Sequence, residues 1–183
     1  RRQVQMGIRN RSETVLVDGT FQYCTKFFTQ LFTIHAHFNG HYVPLVFCIL
    51  PDKTTAIYKE TFQIIELECD KLGLKFSPKT IIADFEMAIH SAIKFVWPLT
   101  KLTGCRFHIT QARWRSIQHL RLAVEYRNKT DIGKWLGYCF GLVYLEPKDV
   151  GEGFGIELSS IRPEVERLVK FSDYLVDNYI SEY

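Results

Sequence analysis

Two aspartates close short apolar runs in this chain. Asp18 follows Thr14-Val15-Leu16-Val17, and Asp84 follows Thr80-Ile81-Ile82-Ala83. Such runs predict buried strands that deliver a carboxylate where burial stops. If the strands are neighbours the two acids converge, and converging carboxylates repel unless a proton or a cation compensates them. Mg²⁺ or Mn²⁺, hard cations that prefer oxygen, are the simplest compensators. The pair would then be the minimal apparatus for metal-assisted phosphoryl transfer. The residues alone leave a plainer reading open, with Asp18-Gly19-Thr20 as a turn and Asp84 as a helix cap.

Other groups invite chemistry less strongly. Cys105 and His108 have a spacing that can offer a thiolate and an imidazole to Zn²⁺, but a structural zinc needs four ligands. Cys139 and His119 are the nearest further candidates, and a buried thiol beside a satisfied histidine accounts for the pair as well. His35, His37 and His41 flank an Asn-Gly turn and predict a solvated sheet face rather than a metal cluster. Glu86 either assists a metal at Asp84 from behind or starts a helix. Gln111, Arg115, Gln118 and His119 fall roughly opposite an apolar helix stripe, where they can meet DNA phosphates or simply water. Gly151-Glu152-Gly153-Phe154-Gly155 lacks the following Lys-Ser/Thr of a phosphate loop, and its glycines should fray a helix.

The elements that must position these groups belong to an ordinary globular composition. The chain has 183 residues, 46% hydrophobic and 23% charged, with a net charge of +3. That is enough for one domain, or one and a part, with a real core. The charge is too mild to identify a nucleic-acid partner and does not oppose one. No run is long enough for a membrane span and no secretory signal pattern is present, so no membrane partner is expected. Five scattered cysteines, an odd number, predict free thiols and a reducing compartment. The sequence starts and stops without terminal punctuation, as a piece of a longer protein would.

Strands are expected first: the Asp18 strand, then 29–38 and 42–50 joined by the hairpin signal Asn39-Gly40. From Thr54 the period changes, and Tyr58, Phe62, Ile65, Cys69 and Leu72 form one helical stripe that Gly73 stops. The Asp84 strand follows, then a helix over 85–95 closed by Pro98. A short strand over 102–107 and a helix carrying Trp114, Ile117, Leu120 and Val124 complete the α/β part. From about residue 130 only helices are expected, with stripes at Ile132, Trp135, Leu136, Cys139, Phe140 and Val143 and again over 163–179. The predicted boundary lies near residue 129, between a core of 1–129 and a helical segment of 130–183. The link from the meander through a helix to the Asp84 strand is long enough for a parallel crossover.

This order, with Val17-Asp18-Gly19-Thr20-Phe21, Ile81-Ile82-Ala83-Asp84-Phe85-Glu86 and Gly104-Cys105-Arg106-Phe107-His108 before Gln111-Ala112 and Trp114-Arg115, resembles the Mutator-like (MULE) transposase domain. That family belongs to the DDE transposases and integrases. The resemblance implies a ribonuclease H-like α/β fold: a five-stranded mixed sheet with flanking helices, followed by an all-helical insertion. It also implies that Asp18 and Asp84 are the first two acids of a DDE triad holding two Mg²⁺ or Mn²⁺, and that Cys105 and His108 have a local role near the active site. Its third acid, a glutamate, follows the insertion; Glu182 comes too early to be assigned to it. The helical segment is therefore expected to be truncated and the chain by itself inactive. Double-stranded DNA at transposon ends, self-association of the full-length protein and a nuclear location are implied as well. Two function classes follow: the catalytic-core fragment of a cut-and-paste DNA transposase, or a domesticated derivative kept as a DNA- or protein-binding module. A ribonuclease H-like nuclease unrelated to transposition is a third.

Overall fold

The computed structural model describes residues 13–20 and 24–180. It divides into two compact units, Arg1–Cys105 and Arg106–Tyr183. The predicted boundary near residue 129 marked a change of secondary-structure type, whereas the compact division falls at Cys105–Arg106.

In the first unit, among the described residues, five strands form one mixed sheet in the order β3-β2-β1-β4-β5. They are β1 (Thr14–Thr20), β2 (Gln30–Phe38), β3 (His41–Leu50), β4 (Thr80–Ala83) and β5 (Lys101–Gly104). The first three form an antiparallel meander, and β4 and β5 add in parallel beside β1. This is the five-stranded mixed sheet expected of a ribonuclease H-like fold. Asn39 (φ 49°) and Gly40 (φ 78°) both take left-handed conformations, which is what a two-residue hairpin turn between Phe38 and His41 needs. Across the same hairpin Ile34 faces Val46 while His35 faces Pro44, so Leu45 is the extra residue of a bulge.

Strand alternation decides which face is core. Val15 and Val17 of β1, Phe32 and Ile34 of β2, and Ile81 and Ala83 of β4 are buried together. They pack under α1 (Thr55–Lys71) and α2 (Met87–Val96). Thr54 caps α1, its Oγ1 accepting from Ile57 N at 3.4 Å, and Asp52 accepts from both Thr54 N and Oγ1 at 2.8 Å. The stripe Tyr58, Phe62, Ile65 and Cys69 is buried as expected. Each large side chain sealed this way contributes about 1.5–3 kcal/mol. Leu72 leaves the stripe: it is the C-cap, 53% exposed, because Gly73 turns left-handed (φ 68°) directly after it.

Helix α2 starts two residues later than expected, with Glu86 at its N-cap. β5 ends at Gly104, short of the predicted Phe107. The amide of Cys105 still donates to Ala83 O at 2.6 Å, and the backbone then turns into a helix at Arg106.

The second unit is helical among its described residues: α3 (Arg106–His119), α4 (Ala123–Arg127), α5 (Asp131–Gly141), α6 (Pro147–Glu152) and α7 (Glu166–Leu175). A 3₁₀ turn, Leu142–Tyr144, follows α5, and π-helical turns over Gly153–Leu158 and Val176–Ile180 extend α6 and α7. Its core gathers Ile117, Leu122, Trp135, Leu136, Phe154 and Phe171. The expected stripe through Val124 breaks, leaving that side chain 64% exposed. Arg121 takes a positive φ of 56° and ends the helical phase set by Trp114 and Ile117. The glycine-rich stretch 151–155 does not fray; it stays helical and widens to a π turn, pinned by the buried Phe154 and Leu158. It is not a loop before a helix, so it is no phosphate cradle. Among the described residues, no helix is long and apolar enough to cross a membrane.

Candidate active site

The parallel seam between β1 and β4 sets the positions of the two aspartates. Thr14 pairs with Thr80, Val15 with Ile81 and Leu16 with Ile82. The paired stretch ends there, two residues before Asp18, still inside β1, and Asp84, the first residue past β4, so both acids follow the same parallel seam. Val17 faces the core, so alternation turns Asp18 to the other face of the sheet, and Asp84 follows the end of β4; both acids are only partly buried.

Both backbones are held at these positions. Thr33 Oγ1, directly across β2, donates to the carbonyl oxygen of Asp18 at 3.2 Å. His90 Nε2, one turn into α2, lies 2.6 Å from the carbonyl oxygen of Asp84. A carbonyl only accepts, so His90 carries its proton on Nε2. The Asp84 carboxylate itself accepts from Glu86 N at 3.1 Å, an Asx turn that leads the chain into α2.

Glu86 is drawn into a polar chain at the end of the core. Gln30 Nε2 donates to Tyr58 Oη at 2.6 Å, and Tyr58 Oη donates to Glu86 Oε1 at 3.1 Å. Lys53 Nζ lies 3.9 Å from Glu86 Oε2. Gln30 and Tyr58 are almost fully buried. Burial above all, and then the charges of Glu86 and Asp84, hold the Tyr58 phenol well above its ordinary range, so it stays a donor. Gln30, Tyr58, Thr33 and His90 were invisible as site residues in the sequence. Tyr58 reads there as one more member of an apolar stripe, and nothing local marks the other three.

On the same sheet face, His35 sits across from Leu16. Burial lowers its pKa and the nearby Asp18 charge raises it. Its Nδ1 is buried without a hydrogen bond among the described residues. His37 and His41 are exposed, and His37 stacks on Tyr42 with ring centroids 5.1 Å apart.

Two carboxylates at neighbouring strand ends suit a hard divalent cation as part of its oxygen shell, and supply only part of it. Among the described residues, no group of three or more His, Cys, Asp or Glu side chains is placed to hold a metal ion. Glu182 lies outside the described residues, as does Phe21. Cys105 ends the first unit, half-buried, and His108 stands on α3 in the second, its ring against Phe107. Cys139 is fully buried, and that burial pushes its thiol up to about 12, which disfavours the thiolate a zinc ligand must be. On α3, Arg115, Gln118 and His119 are exposed, whereas Gln111 turns inward beside Trp114.

A family model described as the MULE transposase domain matches residues 14–112, from β1 into α3 and across both aspartates. No curated protein matches the chain.

Proposed function

The chain belongs to the MULE transposase domain family, and from that premise we propose that it is the catalytic-core portion of a DDE DNA transposase, acting on the double-stranded ends of a transposon. The observation that supports this reading is the parallel β1–β4 seam, whose last paired residues, Leu16 and Ile82, each stand two residues before one of the aspartates. A pure binding module gains nothing from like charges so arranged. A bound Mg²⁺ or Mn²⁺ pair would supply charge stabilisation for displacement at phosphorus. The part played by this chain's own residues is positional. Asp18 and Asp84 offer oxygen ligands, Thr33 and His90 hold the backbone of each acid, and Glu86, braced by Tyr58, fixes the turn behind Asp84. Self-association of the full-length protein and action in the nucleus belong to the same proposal.

Mn²⁺ titration followed by electron paramagnetic resonance tests it. Wild-type chain should bind weakly, and Asp18→Asn and Asp84→Asn should each abolish that binding while leaving the circular dichroism spectrum intact. Isotherms indistinguishable from wild type would defeat the metal assignment and favour a domesticated, non-catalytic module.

A further inference from the structure

In the second unit, one face of α3 and the helices beside it border a shallow, open hollow of about 550 Å³, lined by Phe107, Thr110, Gln111, Trp114, Tyr126 and Phe140. The four α3 residues follow a helical spacing of three, one and three, so they form a single face. Trp114, Tyr126 and Phe140 brace one another, with centroids 5.5 Å apart for the first pair and 5.6 Å for the second. Phe107 stands one end of the face away and is 64% exposed. The amide of Gln111 makes no side-chain hydrogen bond among the described residues, although it lines an otherwise aromatic wall.

Charge indicates what such a wall receives. Residues 106–130 carry six Lys or Arg against one acid, Glu125, while 131–180 carry five against nine. Glu125 is itself paired with Arg167, at 2.9 Å. Arg115, Arg121, Arg127 and Lys129 are exposed on the segments that build the pocket. Arg113 is buried and donates to Cys139 O, so it is these four exposed cations that favour a polyanion beside the pocket.

We propose that this pocket stacks one unpaired nucleobase of a DNA strand, with the aromatic wall against its face, the Gln111 amide at its edge and the surrounding arginines on the backbone phosphates. Flat rings accept any base, but only one drawn out of the duplex stack exposes a face to them. The inference rests on the DNA-acting reading above and deepens it by giving the second unit a substrate feature to recognise.

Two duplexes carrying 2-aminopurine test it, one with that base extrahelical and the other with it paired. The full chain should bind the extrahelical form about tenfold tighter, roughly the worth of one base–aromatic stack. Its 2-aminopurine emission should be quenched on binding. Phe107→Ala, a change at an exposed side chain, should collapse the ratio between the two probes, and Phe107→Trp should keep it. Equal affinity for both duplexes, or a ratio that survives Phe107→Ala, overturns the pocket assignment while leaving the DNA-acting reading in place. No binding to either duplex overturns both. Displacement of the probe from the pocket by a tryptophan-bearing peptide that binds more tightly than DNA would assign the wall to a protein partner instead.

Discussion

Gly133→Ala sets helix propensity against packing, and packing should win. Gly133 lies in the first turn of α5, its amide donating to the Thr130 cap at 3.2 Å. A Cβ built on it would fall 2.9 Å from the carbonyl carbon of Glu125, 3.0 Å from Tyr126 Cα, and closer still to the Glu125 carbonyl oxygen. These are backbone atoms of α4, so no rotamer relieves the clash and the two helices must separate. Overpacking of this kind costs about 1–3 kcal/mol. Disturbing the Thr130 cap adds up to about 1 kcal/mol. Alanine returns at most about 1 kcal/mol of helix propensity. The net expectation is a loss of about 1–3 kcal/mol. Gly137, in the same helix, is the control: a Cβ there meets nothing within 4 Å, so Gly137→Ala should stabilise by about 1 kcal/mol. Urea and thermal melts of the full chain would separate the two variants, since each kcal/mol moves the midpoint of a unit this size by several degrees. If Gly133→Ala stabilises as much as Gly137→Ala, the close approach of α4 and α5 is refuted, and with it the rigidity of the wall formed by Tyr126 and Phe140.

Two other outcomes follow from the first unit. Tyr58→Phe removes the hydroxyl joining Gln30 to Glu86 and strands a buried amide donor, so the urea midpoint should fall by the equivalent of about 1–3 kcal/mol; unchanged stability would mean that water reaches that chain. In metal-free buffer, Asp18→Asn removes the charge that raises His35, so its imidazole should titrate lower still by NMR. The unfolded imidazole takes its proton near 6.5 while the native one resists it. The native fold therefore keeps this contribution above that pH and loses it as pH falls below it, over a wider window in the variant. An unmoved His35 titration would contradict its proximity to Asp18.

Much of the first unit was legible because its cues are local. Asn39-Gly40 demands left-handed backbone, the Tyr58-to-Cys69 stripe has a clean period, and two four-residue apolar runs ending in aspartate made the neighbouring strands β1 and β4 readable before their pairing was known. The failures also have physical causes. Leu72 and Val124 keep the period of their stripes, but Leu72 falls on the C-cap, where the helix stops before the left-handed Gly73, and Arg121 turns the backbone left-handed ahead of Val124 and rotates it out of phase. Phe107 has strand composition, yet the ladder stops at Gly104 and the freed backbone coils. The 151–155 glycines are weak helix formers held helical by Phe154 and Leu158, a tertiary effect that no local propensity contains. Around the candidate site, Gln30 and Thr33 act through neighbours distant in sequence, and His90 reaches back to Asp84 only once the turn into α2 has formed, so their roles exist only in the assembled fold. The aromatic pocket is equally non-local, since three separate helices must meet to make it.

The seam between β1 and β4 also sets an order of events. The β1–β3 meander closes through short connections, so it can form early. β4 reaches β1 only after the chain has travelled out through β3 and back through α1, which carries the larger loop-closure entropy. The strand ends that carry the two aspartates therefore come together late, once the crossover has closed. A pair of like charges placed at that later seam leaves the earlier meander undisturbed. Any repulsion between the two carboxylates would fall on the step that joins β4 to the meander, before β5 adds beside it, and a cation relieving it would act as a clasp on that seam rather than as a nucleus for the sheet.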